Sequence, residues 1–210
     1  ALRVPHIIGA FWRDFDPRPA HAQLIYCSQC LVDDVVDGRF PAWRSNWSEH
    51  GMCICDKHPM PSILSVLQMP YADPFLKAWH AFSEFASSPY PRIGRRVVSG
   101  SVSQEKMRLQ EKKLSRIALR VQKWMLKKVA KDECSILSSE AAIYILNILL
   151  HEPFKARCTG GMARSYLNSQ DLFHVSYASN RRPGKFHEGY KTASPLQMFV
   201  AYLLIGIAYG

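Results

Sequence analysis

At 210 residues and 48% hydrophobic content, the chain can bury one substantial core or two modest ones, which excludes an intrinsically disordered polymer. Its formal net charge of +10 is concentrated: Arg92 to Lys131 holds 13 lysines and arginines against only Glu105 and Glu111, while the remainder is close to neutral. The first residues show no basic segment followed by an apolar run and a small-residue cleavage site, so the six cysteines point to a reducing cytoplasm rather than a secreted disulfide framework.

Residues 1 to 26 mix apolar and aromatic side chains with three prolines and no helical period, which predicts extended or irregular chain. Two pairs of metal-ligating residues follow, Cys27 and Cys30 in Cys-Ser-Gln-Cys, then Cys55 and His58 in Cys-Asp-Lys-His. A gap of two residues lets one tight turn aim both side chains at a single point, and three thiolates with one imidazole make a closed tetrahedral set for Zn²⁺. The gap between the pairs raises no objection, because the entropy of loop closure grows slowly with length. A redox pair, or ordinary semi-buried thiols beside an unrelated histidine, is the competing reading. Cys53 competes with Cys55 as third thiolate; Cys55 is preferred because only it closes a two-residue chelating gap to His58. Asp33, Asp34 and Asp37 read as solvated turn residues. Phe40, Trp43 and Trp47 read as packing for a metal-pinned loop region, the tryptophans sharing one face of a short helix or turn.

Asp73 as cap and Pro74 as first helical residue open a helix with Phe75, Leu76, Trp79, Phe82 and Phe85 at helical spacing, ending near Ser87. Pro89 to Gly100, with Arg92, Arg95 and Arg96, reads as an exposed linker and domain boundary. From Ser101, with Gln104 completing a capping box, a helix is predicted to about Lys131; Leu114, Ile117, Ala118, Val121, Met125 and Val129 form its apolar stripe and its other faces are basic. An apolar helix runs from Ser138 to Pro153, and the Thr159-Gly160-Gly161 turn leads into a short helix through Met162 and Tyr166. Residues 169 to 194 read as loop with one strand candidate. The Ser194-Pro195-x-Gln197 box opens a last helix to Ala208, too short for a membrane span. The Cys134 and Cys158 thiols read as buried. The fold class is therefore mainly α: a zinc-stabilised N-terminal lobe with an aromatic helix (1–90), then a basic helical lobe (91–210).

The basic stretch points to nucleic acid, because ordinary surfaces intersperse both signs of charge. Arg92, Arg95, Arg96, Lys112, Lys113, Arg116, Arg120 and Lys123 are the candidate phosphate ligands, with Arg181 and Arg182 in a later loop. A helix-turn-helix built from the 138–150 helix, the Gly160-Gly161 turn and the next helix would place Arg157 and Arg164 near a groove. Catalysis is not expected. A closed tetrad leaves no metal position for water, and no His-x-Glu precedes the cysteines as a zinc deaminase requires.

Tyr26-Cys27-x-x-Cys30-Leu31, Phe40, Trp43-Arg44-x-x-Trp47 and Cys55-x-x-His58 together resemble the zinc region of the TniQ/TnsD family of transposition proteins, over about residues 26–64. Where that family usually has glycine after the histidine, this chain has Pro59. The resemblance implies zinc on Cys27, Cys30, Cys55 and His58, and structural roles for Trp43 and Trp47. It also implies an adaptor that selects a DNA target, or docks on an RNA-guided complex, and recruits an AAA+ ATPase. A cytoplasmic, nucleoid-associated bacterial setting goes with that role. The alternative is a zinc-stabilised protein-interaction module that needs no direct duplex contact.

Overall fold

The computed structural model describes residues 24–58, 63–67, 76–87, 101–130, 139–151, 160–169 and 189–209. The start chemistry at Asp73 and Pro74, the arginine linker and boundary at 89–100, Arg157, Arg181, Arg182, Cys134 and Cys158 lie outside these residues.

The N-terminal lobe begins with strand β1 (Ile25–Tyr26), paired antiparallel with β2 (Ser65–Val66) so that Ile25 faces Val66 and Tyr26 faces Ser65. Where a metal-pinned loop was expected, helix α1 (Ser28–Val36) starts immediately after Cys27. The reason is its spacing: Cys30, Leu31 and Asp34, separated by one, three and four positions, form one buried face. Its end is a Schellman motif, with the Gly38 N–H donating to Val35 and the Arg39 N–H to Asp34. Gly38 takes φ +72° there, the left-handed conformation that glycine adopts without steric penalty. A 3-10 turn (Ser45–Ser48) buries Trp47 at 1% exposure, and α2 (Lys77–Ser87) closes the lobe with Ala78 and Ala81 inward and Phe82 half-buried. Phe40, expected among the packing aromatics, is 80% exposed instead.

The helical lobe is built on α3 (Ser101–Ala130) packed against α7 (Pro195–Tyr209). Ala118, Gln122 and Met125 of α3 are buried, as are Met198, Ala201, Tyr202 and Ile205 of α7 at three- and four-residue spacing. Small residues let the two helices approach: a Cβ added to Gly206 would stand 2.3 Å from Ile117 Cγ2. The predicted cap of α7 is present, with the Ser194 N–H donating to Gln197 Oε1 (2.9 Å) and the Gln197 N–H to Ser194 Oγ (3.3 Å). Helix α4 (Ser139–Leu150) contributes Ala142, Leu146, Leu149 and Leu150 to the core, and α5 (Met162–Ser169) contributes Ala163 and Leu167. At the end of the segment read as loop, residues 189–192 form a helical turn, α6 (Gly189–Thr192), whose Tyr190 N–H donates to the buried Asn147 Oδ1 at 2.9 Å. The class is mainly α, with one two-stranded pair among the described residues. None of the helices described is long and apolar enough to cross a membrane.

Side chains of the helical lobe reach across to the N-terminal one. Gln122, 1% exposed, accepts at Oε1 from the backbone N–H of Cys53 and of Ile54 (both 2.9 Å) and donates from Nε2 to the Ile54 carbonyl (2.9 Å). Nearby, the Tyr202 hydroxyl donates to the Gly51 carbonyl at 2.9 Å. Cys53 and Ile54 thus lie in the helical core, while Met52 and Cys55 on either side belong to the N-terminal one.

Candidate metal centre

Cys27, Cys30, Cys55 and His58 come together, their ligand atoms all within 4.8 Å of one another, and can hold a metal ion. Cys27 sits at the cap of α1 and Cys30 in its first turn, so both thiols lie at the helix N-terminus, where the backbone dipole favours thiolate. Cys55 and His58 arrive from the bend after Ile54. The His58 Nδ1 stands 3.3 Å from Cys55 Sγ, 3.5 Å from Cys27 Sγ and 4.0 Å from Cys30 Sγ, and Cys30 Sγ is 3.6 Å from Cys55 Sγ. Four donors placed tetrahedrally about 2.0–2.3 Å from one Zn²⁺ would be separated by about 3.3–3.8 Å, so the donor set fits that ion. All four cysteines among the described residues are free thiols. Cys53, the rival ligand, points elsewhere: its thiol donates to Gln122 Oε1 at 3.3 Å in the helical core.

Burial pushes the Cys30 thiol up to about 11, with the neighbouring Cys27 adding to the rise. Cys55 is raised as well, first by its hydrogen bond with Cys27 and then by burial. Thiols held protonated in this way must lose protons to bind a cation, so metal uptake releases protons.

The surroundings brace the cluster. Asp34, read from sequence as a solvated turn residue, is 3% exposed and receives both arms of the Arg44 guanidinium, Nη1 to Oδ2 (2.9 Å) and Nη2 to Oδ1 (2.8 Å), besides the Ala42 N–H at 3.2 Å. Helix α1 turns Asp34 inward, which no turn reading could anticipate. Arg44 stands 5.3 Å over the Trp47 ring, Trp43 and Trp47 meet edge to face at 5.6 Å, and Lys77 Nζ lies 3.8 Å from the Trp43 centroid. Asp33, equally unforeseen as a partner, stands against the outer edge of the His58 ring, its Oδ2 2.9 Å from Nε2. The available signal was its position three residues after Cys30, which on a helix shares the same face.

The basic residues fall into two groups. On α3, Lys113, Arg116, Arg120 and Lys123 are exposed and Lys112 is half-buried. With Lys127, they occupy the side opposite Ala118, Gln122 and Met125, the half-exposed Trp124 flanking them. Residues 112 to 127 include no acid, and among the described residues none of these six cations forms an ion pair. The structure therefore assembles Lys112, Lys113, Arg116, Arg120 and Lys123 on one surface; Arg92, Arg95, Arg96, Arg181 and Arg182 lie outside the described residues. Arg164, expected near a groove, is spent inside the fold: its Nε donates to the Leu150 carbonyl at the end of α4 (2.6 Å) and its Nη2 to Thr192 Oγ1 (3.1 Å).

Comparisons of the chain with protein-family models, with curated proteins and with solved structures find no match.

Proposed function

We propose that the chain is a non-catalytic, zinc-stabilised adaptor that associates with DNA in transposition, selecting a target site and recruiting an AAA+ ATPase regulator. The observation that carries the DNA association is the basic surface of residues 112–127 of α3, a stretch without acids, docked through Gln122 onto the lobe that holds the metal cluster. Each exposed lysine or arginine on it can neutralise a phosphate without reading sequence. The transposition role rests on the resemblance of residues 26–64 to the TniQ/TnsD zinc region. Four protein donors fill a tetrahedral Zn²⁺, so the metal braces the fold and leaves no position for an attacking water.

Exposed aromatics favour a second reading, a module docking on a partner protein or RNA-guided complex without duplex contact. Phe40 (80% exposed) and Trp79 (40%) meet edge to face at 6.2 Å on the surface of the metal lobe. Titrating the zinc-loaded protein with duplex DNA across salt separates the two. The adaptor reading expects affinity that falls steeply with salt and is lost in a Lys112→Gln, Lys113→Gln, Arg116→Gln variant that folds normally. Unchanged affinity in that variant would remove α3 from the interface, and no duplex binding at low salt would leave the docking reading.

A further inference from the structure

His58 has two ring nitrogens, and the metal cluster uses one. Nδ1 faces the three sulfurs, while Nε2, on the outer edge of the ring, is 2.9 Å from Asp33 Oδ2. The other carboxylate oxygen, Oδ1, accepts from Gln29 Nε2 at 3.0 Å. Gln29, Cys30 and Asp33 all belong to α1, so the helix that supplies a thiolate also sets the carboxylate: Asp33 is three residues beyond Cys30 and four beyond Gln29. The imidazole is nearly enclosed, its side chain 8% exposed, whereas Asp33 reaches it from the rim at 50%.

Asp33 is exposed to solvent, where an aspartate is an ionised acceptor at neutral pH. A carboxylate accepts and does not donate, so the proton of the neutral ring must sit on Nε2, which frees the Nδ1 lone pair for a cation. We infer that Asp33 is a positioning residue of the metal centre, selecting the Nδ1-binding tautomer of His58 and locking its ring by accepting Nε2–H. This deepens the reading of the four donors as a zinc site and rests on it. A carboxylate behind a metal-bound histidine raises the basicity of the ligand, and losing such a partner lowers metal affinity about 10- to 100-fold.

Zinc affinity measured by chelator competition, with nitrogen-resolved NMR of His58 in the zinc-loaded protein, tests this. Asp33→Ala should lose about 10- to 100-fold in affinity and show faster exchange of the His58 Nε2 proton. Asp33→Asn keeps an acceptor oxygen at the same position without the charge, so it should restore part of both losses and guard against misfolding of the alanine variant. A loss of less than tenfold in Asp33→Ala, unchanged Nε2 proton exchange, or His58 bound through Nε2 in the parent would each overturn the role of Asp33 while leaving the zinc site standing. A parent protein that takes up no zinc would overturn the site and the inference together.

Discussion

Asp34 shows how much one residue of α1 carries. Its carboxylate is enclosed and answered by Arg44 and the Ala42 N–H, and the hydrogen bonds from Arg44 hold its pKa below the ordinary aspartate range. A carboxylate whose folded pKa is depressed stabilises the fold above its unfolded value of about 3.9, and that stability is lost as pH falls through the lower folded value. Asp34→Asn should therefore cost about 2–3 kcal/mol at neutral pH by urea unfolding, less than a fully buried pair because Arg44 keeps some access to water. The deficit against the parent should shrink on acidification below about pH 4, where the parent loses the same charge. The neighbouring thiols give a sharper contrast. Cys55→Ser should abolish stoichiometric zinc uptake, whereas Cys53→Ser should retain it, because Cys53 faces Gln122 and not the cluster. Equal loss in both would return Cys53 to the ligand set. At this scale the cluster of Cys27, Cys30, Cys55 and His58 that can hold a metal was legible, since a two-residue gap is itself the chelating geometry. Asp33 and Asp34 were not, because their roles depend on the helical phase of a nine-residue element whose start coincides with the first ligand pair.

Among the elements, α3 has two unlike faces, and both matter. Its basic face was legible as a run of lysines and arginines with almost no acids. Its buried face was only partly so: Ala118, Val121 and Met125 follow the apolar period, but Gln122 breaks it, and a polar residue in the stripe carries no mark of what it will meet. It meets the backbone of residues 53 and 54. Gln122→Leu keeps roughly the volume and removes every polar contact, orphaning two buried N–H groups and one carbonyl. Each such group costs about 1–3 kcal/mol, so a loss of about 3–5 kcal/mol is expected after relaxation. The urea midpoint measures it. A loss under about 1 kcal/mol would mean that water replaces the amide and that the junction is wetter than its burial implies. Helices α4, α5 and α7 were legible for local reasons, whereas α6 falls in a segment read as loop. The Ser194 and Gln197 box is a short-range device that appears in the structure as its spacing predicts, and Gly160-Gly161 separates α4 from α5.

For the whole molecule, the decisive feature is a contact between residues 68 and 69 positions apart, which no local pattern encodes. The five residues from Gly51 to Cys55 serve both lobes: Tyr202 holds the Gly51 carbonyl, Gln122 holds Cys53 and Ile54, and Cys55 is a candidate metal ligand. A metal bound at Cys55 would therefore restrain the segment that the helical core grips one residue earlier. Structural zinc sites contribute on the order of 10–16 kcal/mol of apparent binding energy, which in such a fold becomes folding energy. Removing zinc with a strong chelator should then lower the thermal midpoint of the entire chain, the helical signal in circular dichroism and the emission of the buried Trp47 shifting in one concerted transition. Readdition of zinc should restore both. Two transitions in the chelated protein, with the helical one at its original temperature, would show that the lobes fold independently and that the Gln122 contact holds them together without transmitting the state of the metal site.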